Sequence, residues 1–246
     1  MSEYIQVKQD GRVLRITLNR PEGGNGVSDP MASELAGIIK GAAETSDMIV
    51  FRGAGADFCT GRWNPNPPPA GQAPPEAYEA RKRSEPVFGC AAAFRFSPIP
   101  IVAAVQGRAM AFGCVLASVC DVTLAADNAI FKIPELGHNI WPGIVMSSLV
   151  DRTSLKGLTY MGYSQADISP QQAMTYGIVS KVVPAAALDA ELDGLVAAML
   201  KAPRPALLAI KEYVPAARKL PVHAAVDYAK SLHAAVNTSS EMKRGH

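Results

Sequence analysis

Apolar and polar side chains alternate from Tyr4 to Val7 and again from Val13 to Leu18, on either side of Gln9-Asp10-Gly11. A period of two interrupted by a tight Asp-Gly turn predicts a β-hairpin. Asn19-Arg20-Pro21 ends the second strand, and Gly23-Gly24-Asn25-Gly26 reads as loop. Ser28-Asp29-Pro30 then sets an N-cap and a proline at a helix start, which predicts a helix to about Ala43. Met48 to Arg52 is almost wholly apolar and is followed by Gly53-Ala54-Gly55, the mark of a short buried strand. Strand, helix, strand in that order predicts an α/β fold with a partly parallel sheet.

Asn64 to Pro75 holds six prolines in twelve residues. Proline lacks the amide donor and fixes φ, so this stretch is neither helix nor inner strand. Beyond it the pattern predicts a helix from Glu76 to about Phe96 and a buried strand from Ile101 to Val105, closed by Gly107. Ala111-Phe112-Gly113 leads into an apolar helix from about Cys114 to Cys120, then a strand from Val122 to Ala125 and a shorter one from Ala129 to Ile133. After Glu135 helix signals dominate: Ile144 to Val150, Ser154 to Met161, a start at Ser169-Pro170-Gln171, and Leu188 to Leu200. The last 45 residues read as a helical lobe, and no internal repeat is visible.

Composition narrows the function classes. The 246 residues are 48% hydrophobic and 19% charged, enough to bury a full-sized core. A net charge of +2 gives no electrostatic reason to expect nucleic acid or an anionic membrane as partner. The best apolar run, Ile99 to Val105, is cut by Pro100 and falls short of the roughly 18 residues that span a bilayer. MSEYIQVKQDGRV lacks a basic-then-apolar leader pattern, so a cytoplasmic chain is expected. Cys59, Cys90, Cys114 and Cys120 form no CxxC, and His138, His223, His233 and His246 add no metal-ligand spacing. Reduced thiols and no metal are therefore expected.

There is no GxSxG elbow, no P-loop and no HExxH. Two glycine-bearing segments remain, each after a buried strand: Phe58-Cys59-Thr60-Gly61-Arg62, and Gly107-Arg108-Ala109-Met110-Ala111-Phe112-Gly113. Glycine beside a helix start leaves main-chain amides unobstructed, and two amides converging on one point make an oxyanion hole. Taken singly, either segment is equally explained by tight strand-to-helix packing.

With their surroundings these segments resemble the crotonase superfamily, the enoyl-CoA hydratase/isomerase family. The resemblance rests on Leu18-Asn19-Arg20-Pro21, Asp57-Phe58-Cys59-Thr60-Gly61, Pro100 to Gly107, Cys120-Asp121-Val122, Phe131 to Gly137, and Ala173 to Val179, in the family's order and spacing. It implies an α/β fold, a β/α spiral core over residues 1–195 with the CoA and catalytic site, and a C-terminal helical trimerisation region over 196–246, shortened at its end. It also implies an acyl-CoA thioester as substrate, no further cofactor, and assembly as a homotrimer or homohexamer.

By the same resemblance the two oxyanion amides belong to Arg62 and Phe112. Of the family's two catalytic glutamates, one position holds Val115, which cannot exchange a proton, and the other holds Glu135. Ile133, Leu136 and Ile140 are expected to desolvate that carboxylate and raise its pKa. His138 is a candidate second proton carrier. Trp63 and Trp141, with Tyr78 and Phe88, are expected to line the acyl pocket. CoA is expected along Asn25-Gly26-Val27 and near Thr60, its 3′-phosphate left to Arg20, Arg62 or a neighbouring subunit. A single carboxylate suits moving a proton from the α- to the γ-carbon, as in 3-enoyl to 2-enoyl-CoA isomerases. Hydratase or hydratase-lyase chemistry is the alternative, and a catalytically silent thioester binder the alternative of another class.

Overall fold

Strands β1 (Ile5–Asp10) and β2 (Val13–Leu18) form the antiparallel hairpin that the alternation predicts, with Asp10 opposite Val13 at the turn. The computed structural model describes residues 2–67, 69, 71 and 73–242. After the hairpin come α1 (Asp29–Gly41), β3 (Met48–Gly53), α2 (Ala77–Arg95), β4 (Ile101–Val105), β5 (Arg108–Met110) and α3 (Phe112–Val119). The second half runs β6 (Val122–Ala126), β7 (Ile130–Lys132), α4 (Gly143–Leu149), α5 (Leu155–Ser164), α6 (Pro170–Tyr176), β8 (Lys181–Val183), α7 (Leu188–Leu200), α8 (Arg204–Ala217) and α9 (Val222–Asn237).

The main sheet has the order β1-β2-β3-β4-β6-β8, and every pairing after the hairpin is parallel. Its inner strands read as unbroken apolar runs because helices cover both faces. Ile49 and Phe51 of β3 face the core shared with α1, α2 and α3. Met48 and Val50, one residue out of phase, face a smaller core closed by Leu188, Leu192 and Val196 of α7. Local signals set the helix starts: the Ser28 side chain accepts from Met31 N, and Ser169 with Gln172 forms a capping box.

A second, smaller layer positions the site. β5 and β7 pair in parallel, and isolated bridges extend the layer from Cys59 to Ala109 and from Phe131 to Ile168. The chain therefore climbs as a spiral, leaving each main-sheet strand for this layer before entering a helix. β5 and β8 were not expected as strands. Each has three residues, too few for alternation to register, and their pairing is decided by neighbours distant in sequence. α3 also starts at Phe112, two residues earlier than expected.

The helical end of the chain is present as α8 and α9. The boundary expected between 195 and 196 falls inside α7. Lys211 of α8 donates to both carboxylate oxygens of Asp121 at 2.9 and 2.8 Å, and Arg204 donates to Ser46 O at 2.7 Å and Asp47 Oδ1 at 2.6 Å. These two polar anchors dock α8 on the core. Residues 243–246 of the expected C-terminal lobe, with His246, lie outside the described residues. The described residues of the proline-rich segment carry no helix or strand, as expected, and Pro68, Ala70 and Gln72 lie outside the description.

Candidate active site

Three successive turns of the spiral converge. Cys59 bridges Ala109, and Ala109 pairs with Phe131, so the three form one row across the second layer. Three residues beyond that row lie Arg62 and Phe112, and four beyond it lies Glu135. All three line one open cavity of about 890 Å³, together with Thr60, Trp63, Phe88, His138 and Trp141.

One wall presents backbone donors. Val27 N–H donates to Gly61 O at 2.9 Å and Trp63 N–H to Val27 O at 3.0 Å, a parallel bridge that leaves the N–H of the intervening Arg62 without a backbone acceptor. Phe112 is the first residue of α3, so its N–H precedes the first intrahelical acceptor. Its direction is set by Ala111, held at φ 49°, ψ −118°, a region that an L side chain rarely adopts. Ala111 N–H donates to Lys132 O at 3.0 Å, tying this turn to the strand that leads to Glu135.

The same wall is locked by close packing. A Cβ on Gly113 would overlap the Cys59 carbonyl oxygen, and one on Gly61 would lie 3.2 Å from the Ala111 Cβ. Asp57 clasps Arg108 across the two loops: Oδ1 accepts from Arg108 N at 3.0 Å and Nε at 2.9 Å, and Oδ2 accepts from Nη2 at 2.6 Å. The Arg108 side-chain hydrogen bonds, aided by its backbone N–H and charge, hold the Asp57 carboxyl below the usual carboxylate range despite burial. Sequence reasoning missed this clasp. An acid before the first glycine segment and an arginine after Gly107 were its only trace.

Another stretch of the lining carries Glu135 and His138. Glu135 opens a 3-10 turn, Glu135–His138, after Pro134. Its carboxylate is half-buried, and Oε2 is buried with no hydrogen-bond partner. Burial raises its pKa, opposed by its backbone hydrogen bond and the His138 charge. His138 is exposed on the same turn and lines the cavity. Asn139 at φ 57° ends the turn and leads to Ile140 and Trp141 at the rim.

Several expected site residues stand outside this cavity. Val115 is fully buried in the main core and does not line the cavity, because the first turn of α3 turns it inward. Leu136 is exposed and does not line the cavity, whereas the apolar residues Pro134, Phe112 and Val145 do. Tyr78 is also exposed and outside the cavity lining; its ring carries Lys82 instead. The Asn25 side chain is consumed internally, accepting from Arg20 N and donating to Ala54 O and Asp57 O, and neither Asn25 nor Gly26 lines the cavity. Arg20 stacks on Trp63 at 3.8 Å from the ring centroid, and Arg62 pairs with Asp29 at 2.8 Å, so both cations are already engaged.

All four cysteines are free and buried, and burial pushes the Cys59, Cys90 and Cys114 thiols up to about 12. None is a competent nucleophile near neutrality. Among the described residues no cluster of three His, Cys, Asp or Glu could hold a metal, and no helix is long and apolar enough to cross a membrane.

The family described as enoyl-CoA hydratase/isomerase matches residues 8–246. The chain is 32% identical over 193 residues to 2,3-dehydroadipyl-CoA hydratase of Escherichia coli K12, covering 75% of this chain and 70% of that one. It is 27% identical to carnitinyl-CoA dehydratase of Shigella flexneri, over 94% of this chain and 87% of that one. A Thermobifida fusca protein solved in complex with acetoacetyl-CoA superposes with a TM-score of 0.82 at 26% identity, covering 94% of each chain.

Proposed function

This chain belongs to the enoyl-CoA hydratase/isomerase family, and from that premise we propose that it moves a proton on an acyl-CoA thioester with Glu135 as its base. The observation that carries the reading is Glu135 Oε2, buried without a partner in the cavity that Arg62 and Phe112 also line. An unpartnered carboxylate oxygen in a partly desolvated site has a raised proton affinity and a vacant acceptor position, the two properties a general base needs.

In the proposed step Glu135 takes the α-proton of a 3-enoyl-CoA. The electron pair moves onto the thioester carbonyl, and the resulting enolate oxygen is stabilised by the Arg62 and Phe112 N–H groups, each worth on the order of 3 kcal/mol. Glu135 then returns the proton to the γ-carbon, the carbonyl re-forms, and the double bond has moved from C3–C4 to C2–C3. No oxidant or second acid is required. Val115, fully buried where the resemblance puts a second glutamate, supports this single-base reading.

A second reading, hydration, is supported by His138 in the same cavity and by the relatives named hydratase and dehydratase. There the imidazole orients the water that a second carboxylate otherwise handles. Incubation in D2O with 3-enoyl- and 2-enoyl-CoA thioesters separates the two. Isomerisation gives the positional isomer, with deuterium at the γ-carbon only where the Glu135 proton exchanges with D2O before its return, and hydration gives a product heavier by one water. Glu135→Gln is expected to lower either rate roughly a thousandfold while leaving binding nearly intact. Unchanged turnover in that variant overturns the assignment, and absence of both product and exchange with any bound thioester moves it to the silent binder.

The homotrimer or homohexamer is part of the same proposal. Phe96, Leu155 and Tyr163 stand 71%, 81% and 78% exposed, large apolar side chains that a subunit contact would cover. Light scattering at one chain mass overturns it.

A further inference from the structure

We propose that Trp141 is a stacking platform that selects flat, apolar acyl groups, aryl-bearing or conjugated, at the open end of the cavity. The inference rests on the acyl-CoA reading above. Trp141 lines the cavity holding Glu135 yet is 77% exposed. Its ring is seated rather than loose. A Cβ on Gly143 would lie 2.5 Å from Cζ3 and 2.8 Å from Cε3, so the ring occupies space left by the missing side chain. Gly143 N–H donates to Trp141 O at 2.8 Å across Pro142, which closes the turn that presents the ring.

The surroundings decide the ligand chemistry. Ile140, 56% exposed, and Phe88, 40% exposed, line the same cavity and widen the apolar surface beside the indole. Aromatic faces also attract cations, but the lining acids are Asp29, already paired with Arg62, and Glu135 at the reacting carbon. A cationic acyl group would find no counter-ion at the rim, whereas a flat apolar one would bury the indole face and its apolar neighbours. Trp63, the second tryptophan, is already covered by the Arg20 guanidinium and the Tyr4 edge. Trp141 is the ring with a face to offer.

The test is binding by calorimetry of 3-phenylpropanoyl-, 3-cyclohexylpropanoyl- and butanoyl-CoA, saturated thioesters that need no turnover. The wild type is expected to bind the phenyl ligand roughly tenfold tighter than the butanoyl one, with the cyclohexyl ligand between them. Trp141→Ala removes that preference and leaves butanoyl-CoA within about twofold, Trp141→Phe keeps most of it, and Gly143→Ala, which displaces the ring, weakens it. Equal binding of phenyl and cyclohexyl ligands overturns the flatness claim. A preference that survives Trp141→Ala overturns the platform, as does a lower assembly mass in that variant with selectivity unchanged. Intact Trp141-dependent binding with neither isomerised nor hydrated product nor proton exchange from enoyl-CoA thioesters would sink the Glu135 chemistry alone, and no binding of any CoA thioester sinks both.

Discussion

The two walls of the cavity are built in opposite ways. The wall carrying Arg62 and Phe112 consists of loops welded to each other by the Asp57–Arg108 clasp and by glycines packed directly against carbonyl or Cβ atoms. The wall running from Glu135 to Trp141 is a single 3-10 turn and a tight bend that exposes His138, Ile140 and Trp141 to the cavity. Charge that develops on an oxygen during reaction is stabilised only by dipoles that need not reorganise, so the donor wall must be rigid. On the proposed function the second wall receives the acyl group, and it gains from surface left open for the ligand to cover.

The contrast is broken most severely by Gly113→Ala. The added methyl meets the Cys59 carbonyl on two pieces of backbone that cannot give way, and a loss of about 3 kcal/mol is expected in urea unfolding, with falling activity. Asp57→Asn should cost less, about 1 to 2 kcal/mol at neutral pH, because it weakens charge-assisted hydrogen bonds without removing their geometry. Asp57 has a folded-state pKa below its ordinary 3.8, so its contribution is present above that value and is lost as pH falls through the folded pKa. The stability gap between wild type and Asp57→Asn should therefore close in acid below about pH 4; a gap that persists there would assign the stabilisation to packing.

Ala111→Gly sharpens the comparison from the other side. Relief of the positive φ outweighs the entropy lost with glycine, and a gain of about 1 kcal/mol is expected. A loss would mean that the Ala111 methyl against Gly61 matters more than the strain. The smallest effect belongs to the open wall: Trp141→Ala should change stability by less than about 0.5 kcal/mol, since most of the ring is already in water.

Much of this was legible along the chain. The hairpin, the buried strands Met48–Gly53 and Ile101–Val105, and the helix after Ser28 follow from periodicity and capping, which act within a few residues. Glu135, Arg62 and Phe112 were candidates through the family resemblance, and all three line one cavity. The internal role of the Asn25 side chain was not legible, because a polar residue in a glycine-rich loop carries no local sign that its amide meets its own backbone. Tyr78 was misread because aromatic character says nothing about which face of α2 meets the cavity.

By itself, then, the sequence determined the order and type of the main elements and the presence of a glutamate after Pro134, since these depend on side-chain identity and short-range periodicity; that Val115 stands at a second glutamate's position came from the family resemblance alone. Tertiary structure alone decided that Cys59, Ala109 and Phe131 share one row, that Asp57 closes on Arg108, and that Ala111 takes a positive φ. Those features arise where segments about twenty to fifty residues apart in the chain meet. Their free energy lies in contacts between segments, and no short window of sequence contains both partners.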